Sequence, residues 1–146
     1  MLNQKFVIEG GKKLSGEIKI QGAKNSSLPI IAASLMCSGE TVLKNCPALS
    51  DTYASCRILT HLGCECRFCG NTLSVKSGGL NSCSIPDELM REMRSSIIYM
   101  GALLGAVGKC SLSFPGGCEL GPRPIDMHLS AVRKMGVSVN DEYGAI

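Results

Sequence analysis

The chain can be laid over itself. Ser26-Ser27-Leu28 matches Ser95-Ser96-Ile97 and Gly39 matches Gly108 at one offset, while Leu62-Gly63 matches Met135-Gly136 at an offset four residues longer. A repeat of this kind is one supersecondary unit used twice. Each copy reads as a helix, a strand and a second helix, followed by further strands. The fold class is therefore α/β, built from repeated helix-strand-helix-strand units. The added residues fall between the strand and the second helix of the later copy, and an insertion confined to one loop is where a repeated scaffold acquires function.

That loop is Pro115-Gly116-Gly117-Cys118-Glu119-Leu120-Gly121-Pro122-Arg123-Pro124. Paired glycines let backbone N–H groups point outward and allow an anion to approach closely. A cysteine beside such donors and a guanidinium has a lowered pKa and enhanced reactivity. The loop reads as a reactive thiol held next to a phosphate or carboxylate. Ordinary turn chemistry with an incidental cysteine is the alternative. The repeat adds a second signal, because it aligns Asn25 with Arg94 and so puts Lys24 and Arg94 at equivalent helix starts. Positive charge at an already electropositive helix end costs stability unless an anion is nearby. Two solvated basic residues are the plain alternative.

Periodicity supplies the remaining elements. Lys5–Glu9 and Gly16–Ile20 alternate around Gly10-Gly11 as a hairpin. A helix runs from about Lys24 to Met36, with Pro29 near its first turn. A strand covers Glu40–Lys44, and Ser50-Asp51 caps a helix over Thr52–Leu62, closed by Gly63. Strands Glu65–Cys69 and Thr72–Lys76 turn at Gly70-Asn71. Pro86-Asp87-Glu88 opens a helical stretch, Ser95–Val107 is a helix ended by Gly108, and Lys109–Phe114 is a strand. Pro124 begins a last helix that reaches Met135, and Val137–Val139 alternates once more.

At 146 residues the chain can form one domain with its own core. A net charge of +3 argues for neither nucleic acid nor a membrane surface as partner. Three Phe, three Tyr and no Trp leave few platforms for stacking bases. The first residues lack the apolar run of a signal peptide, and no stretch is apolar for long enough to span a bilayer. Nine cysteines are an odd number, which argues against a closed disulfide framework and for reduced thiols in a cytoplasm. Cys64, Cys66, Cys69 and Cys83 leave open a cysteine-rich metal-binding or thiol-redox module, although only one of the two knuckles of a zinc ribbon is present.

Three segments carry a resemblance. Gly22-Ala23-Lys24-Asn25-Ser26-Ser27-Leu28-Pro29, Met93-Arg94-Ser95-Ser96, and Pro115-Gly116-Gly117-Cys118 through Arg123-Pro124-Ile125-Asp126-Met127-His128 resemble, in matching order, the UDP-N-acetylglucosamine enolpyruvyl transferases. The resemblance implies an inverted α/β barrel, with helices inside, sheets outside and three repeats in each of two domains. Chains of that family are close to three times longer, so it implies an N-terminal portion. Residues 1–21 would be opening strands that pair with the missing C-terminal domain, and 22–146 about two repeat units of one catalytic domain.

The implied reaction moves enolpyruvyl from phosphoenolpyruvate to the 3-hydroxyl of UDP-N-acetylglucosamine and releases phosphate. It is the first committed step of peptidoglycan synthesis, and serves the bacterial cell wall, cell shape and division. The resemblance implies no cofactor and no metal. Cys118 would be the proton donor to the methylene carbon, a role that suits a thiol with a tunable pKa. Lys24, Asn25 and Arg123 would bind phosphoenolpyruvate. Arg94, Arg123, Pro124, Ile125, Asp126 and Met127 would bind the sugar nucleotide. No role is assigned to His128. Glu119 departs from the pattern, since its charge opposes thiolate formation. The general base would come from the other domain, so the chain alone would be inactive. A sister enzyme acting on shikimate phosphate shares the fold but does not use the Gly116-Gly117-Cys118 loop.

Overall fold

Helix α1 (Lys24–Ala33) tightens into a 3₁₀ turn at Ser34–Met36 and buries Leu28, Ile31, Ala32 and Leu35. These and all later elements come from a computed structural model that describes residues 5–115, 124–141 and 144–146. Strand β1 (Glu40–Leu43) leads to helix α2 (Ser50–His61), strands β2 (Glu65–Cys69) and β3 (Thr72–Lys76), and strand β4 (Ser84–Ile85). Helix α3 (Asp87–Glu92), a 3₁₀ turn at Arg94–Ile97, helix α4 (Ile98–Val107), strand β5 (Ser111–Leu112) and helix α5 (Asp126–Lys134) complete the order.

Strands β1, β3 and β2 form an antiparallel sheet in that order, with Val75 opposite both Thr41 and Cys66. Strands β4 and β5 pair in parallel across the α3–α4 crossover. Leu73 and Val75 of β3 turn inward under the helices, and α1 packs against both α2 and α4. Ile31, Ile58, Leu59, Leu62, Met90, Tyr99 and Leu103 are fully buried between these layers. Such burial is the main favourable term in the fold. Among the described residues no helix is long and apolar enough to cross a membrane.

One element of the repeat recurs in atomic detail. Gly63 after α2 and Gly136 after α5 both take left-handed backbone, at φ +100° and +90°. Gly63 N donates to Thr60 O and Cys64 N to Leu59 O. Gly136 N donates to Arg133 O and Val137 N to Val132 O. These are two copies of one glycine-terminated helix ending, the Schellman motif.

Several expectations need correction. Residues 5–22 form no hairpin: Phe6, Val7, Ile8, Leu14, Ile18 and Ile20 are 74–97% exposed. Two strands without a third strand or a helix to cover are marginal in water. Strand β5 is shorter than Lys109–Phe114, because its partner β4 stops at Pro86, which has no N–H to continue the ladder. Helix α5 starts at Asp126 instead of Pro124, since Ile125 is first held in the core. Residues 137–139 form no strand, and the backbone of Leu112 pairs instead with Ile146. Ser50-Asp51 does not cap α2: Leu49 is the cap residue, and Asp51 reaches across to Lys24.

Gly22 tests how tightly the first motif is built. A Cβ there would lie 2.0 Å from the Asn45 carbonyl oxygen, which is backbone and cannot swing aside. Gly22→Ala should lower stability by about 1–3 kcal/mol. Urea unfolding would measure this, and an unchanged midpoint would contradict it.

Candidate active site

The two equivalent helix starts face one cleft. Lys24 is the first residue of α1, and Arg94 opens the 3₁₀ turn that leads into α4. Both line a cavity of about 920 Å³ bounded by α1, the first turn of α2, the α3–α4 junction and the entry to α5. Asn25, Pro124 and Ile125 also line it. Its floor is apolar, with Leu28 and Ile97 contributed from the core.

Not every predicted residue gathers here. Asp126 and Met127 are exposed on the first turn of α5 and do not line the cleft, whereas His128 does. The helix start explains this. Beginning at Asp126, one turn puts the exposed His128 on the cleft side and leaves Met127 78% exposed away from it. Cys118 and Arg123 lie outside the described residues. The described flanks of their loop, Pro115 and Pro124, both border the cleft.

Sequence reasoning missed Asp51 and Glu92, which also line the cavity. Asp51 Oδ2 accepts from Lys24 Nζ at 3.0 Å. Glu92 Oε2 accepts from Arg57 Nε of α2 at 2.8 Å and from a second Arg57 nitrogen. Glu92 accordingly holds the Arg57 guanidinium above its usual pKa. No local spacing joins Lys24 to Asp51 or Arg57 to Glu92, so neither pair had a sequence signal. Arg94 makes no ion pair among the described residues. The cleft thus offers a cation with open donors, a second cation shared with a carboxylate, and an apolar wall. This suits an anion attached to a less polar body.

Among the described residues no group of three or more His, Cys, Asp or Glu side chains is placed to hold an ion. Cys64 belongs to the core and Cys69 is exposed at the β2–β3 turn. The neighbouring Cys56 of α2, together with burial, pushes the Cys66 thiol up, while Cys66 pulls the Cys56 thiol down. Burial pushes Cys64 up from 9.0 to about 11. At pH 8 it should therefore carry roughly a hundredfold less thiolate than an ordinary cysteine. Among the cysteines outside the loop, alkylation followed by peptide mass analysis should modify the exposed Cys37 and Cys69 well before the buried Cys64. Equal rates at all three would contradict the packing described.

Comparison with known proteins adds an independent observation. The EPSP synthase (3-phosphoshikimate 1-carboxyvinyltransferase) family model matches residues 8–146. The UDP-N-acetylglucosamine 1-carboxyvinyltransferase 2 of Caldanaerobacter subterraneus subsp. tengcongensis is 49% identical over 97% of this chain. A UDP-N-acetylglucosamine 1-carboxyvinyltransferase of Pseudothermotoga lettingae is 45% identical over 97%. The chain spans 34% of each of these relatives, about a third of their length. The crystal structure of the enolpyruvyl transferase NikO from Streptomyces tendae superimposes with a TM-score of 0.77, at 24% identity, over 93% of this chain and 30% of that one. That likeness shows a shared fold.

Proposed function

The chain belongs to the EPSP synthase family, and from that premise we propose that it supplies one wall of an active site for enolpyruvyl transfer to UDP-N-acetylglucosamine. The observation that carries the reading is the convergence of Lys24 and Arg94, at equivalent helix starts in the repeat, on one cleft beside both flanks of the cysteine loop. The relatives at 43–49% identity carry the name of this activity, which favours the sugar nucleotide over shikimate phosphate as acceptor.

In this reading the 3-hydroxyl oxygen of the sugar adds to C2 of phosphoenolpyruvate while Cys118 delivers a proton to C3. The resulting tetrahedral adduct then loses a proton from C3, the C2–O bond to phosphate breaks, and phosphate leaves. Lys24, Asn25 and Arg123 hold the phosphate and carboxylate of phosphoenolpyruvate. Arg94 and Arg123 hold the anionic part of the sugar nucleotide, with Pro124, Ile125, Asp126 and Met127 toward its uridine end. A fork of N–H donors suits two-point recognition of such oxyanions. The base that takes the hydroxyl proton is supplied by polypeptide corresponding to the rest of the relatives' length. Residues 1–21 provide strands that pair with that second domain, and residues 22–146 provide about two repeat units of one catalytic domain. The reaction serves bacterial cell-wall synthesis in the cytoplasm.

A chimaera tests this. The chain replaces the matching third of the 49%-identical relative, and phosphate release from phosphoenolpyruvate is followed with and without UDP-N-acetylglucosamine. Release that depends on the sugar nucleotide is expected, and none is expected from the unfused chain. A folded chimaera that releases phosphate only with shikimate phosphate, or with neither acceptor, would refute the assignment.

A further inference from the structure

The sign of charge in the cleft is decided by a residue outside it. Among the described lining residues the ionisable groups are Lys24 and Arg94 against Asp51 and Glu92, with His128 beside them. The charges of these four cancel, so the balance of the cleft turns on how each carboxylate is engaged. Glu92 stands two residues before Arg94 and faces the same space, so it is the carboxylate best placed to occupy Arg94 or to repel a phosphate. Its oxygen is instead held by two nitrogens of Arg57, 35 residues away on α2. The same helix contributes Asp51 from its first turn to Lys24. One helix therefore sets the state of both cleft cations.

We propose that Arg57 is a positioning residue for the anionic substrate: by engaging Glu92 it gives the cleft a net positive charge and leaves Arg94 open to oxyanions. This inference rests on the enolpyruvyl-transfer reading of the cleft and deepens it. Arginine suits the task because two of its donors can converge on one carboxylate while its charge persists at any working pH. The pair is partly exposed, with side chains 54% and 30% accessible for Arg57 and Glu92. Solvent and salt therefore screen the effect, which belongs on a scale of a few-fold.

The chain itself can be titrated with inorganic phosphate at low ionic strength, with the Lys24 and Arg94 side-chain resonances as the readout. Arg57→Ala should weaken phosphate binding about three- to fivefold, the scale of one screened charge interaction. Glu92→Gln alone should tighten it. The double variant Arg57→Ala/Glu92→Gln should bind at least as well as the unmodified chain, a rescue that loss of packing around Arg57 would not allow. A double variant as weak as Arg57→Ala, or a Glu92→Gln variant no tighter than the unmodified chain, would overturn the proposal. If Lys24→Ala and Arg94→Ala abolish the response while the Arg57 and Glu92 variants leave it unchanged, only the role of Arg57 falls. If phosphate moves neither Lys24 nor Arg94 in the unmodified chain, the anion-binding reading of the cleft falls with it.

Discussion

Cys118→Ser in the chimaera should lower phosphate release by about 10²- to 10⁴-fold, the usual contribution of a positioned acid. A serine hydroxyl is close to the thiol in size but far weaker as an acid, so the proton for C3 is no longer available near neutrality. The contacts assigned to the sugar nucleotide come from other residues, so its binding should largely survive. Calorimetry on the same variant separates the two effects. Undiminished turnover would reject the thiol as the acid, and loss of nucleotide binding with turnover would mean that the substitution had damaged the loop.

The second large effect concerns stability. Tyr99 of α4 is fully buried, and its hydroxyl donates to the Ser55 carbonyl of α2 at 3.2 Å. Tyr99→Ala should cost about 3–5 kcal/mol through lost burial and the cavity left behind, a large part of the 5–15 kcal/mol that holds a typical domain together. Tyr99→Phe removes only the hydrogen bond and should cost about 1 kcal/mol. The phenol also has a pH signature. Burial is the main cause that pushes its pKa above the ordinary 10.0, and the Ser55 side chain offsets only part of this. The folded state thus holds the proton more tightly than the unfolded chain does. The associated stability is fully present below about pH 10 and is lost as pH rises toward the folded value. Thermal melts of the unmodified chain should fall more steeply above pH 10 than those of Tyr99→Phe. Parallel slopes would show that the phenol ionises freely in the folded state.

Much of this fold was legible because its signals are local. The glycines at 63 and 136 announced equivalent helix ends, and both form the same hydrogen-bonded motif. The apolar spacing of Leu28, Ile31, Ala32 and Leu35 gave α1 and its buried face. The repeat went further and made two helix starts equivalent, and the cations there, Lys24 and Arg94, share a cleft. What stayed hidden depends on contacts between distant parts of the chain. Asp51 looks like a helix cap in sequence because aspartate there usually bonds to its own backbone, yet the packing of α1 on α2 brings Lys24 within 3.0 Å of it. Glu92 and Arg57 meet for the same reason across α2 and α3. The alternation in residues 5–20 was read as a hairpin, but an alternating pattern states only that a strand would have two faces. It does not supply the surface that one face must cover.

Lys24 and Arg94, at equivalent helix starts in the repeat, are proposed to hold the anionic substrates. The most direct measurement is kcat/KM of the chimaera carrying Lys24→Ala or Arg94→Ala, with folding confirmed by circular dichroism. Each should fall by about 10²-fold or more, because a charged donor to an oxyanion is lost from the reacting complex. Folded variants that both stay within about twofold of the unmodified chimaera, a difference of under about 0.5 kcal/mol, would contradict the account.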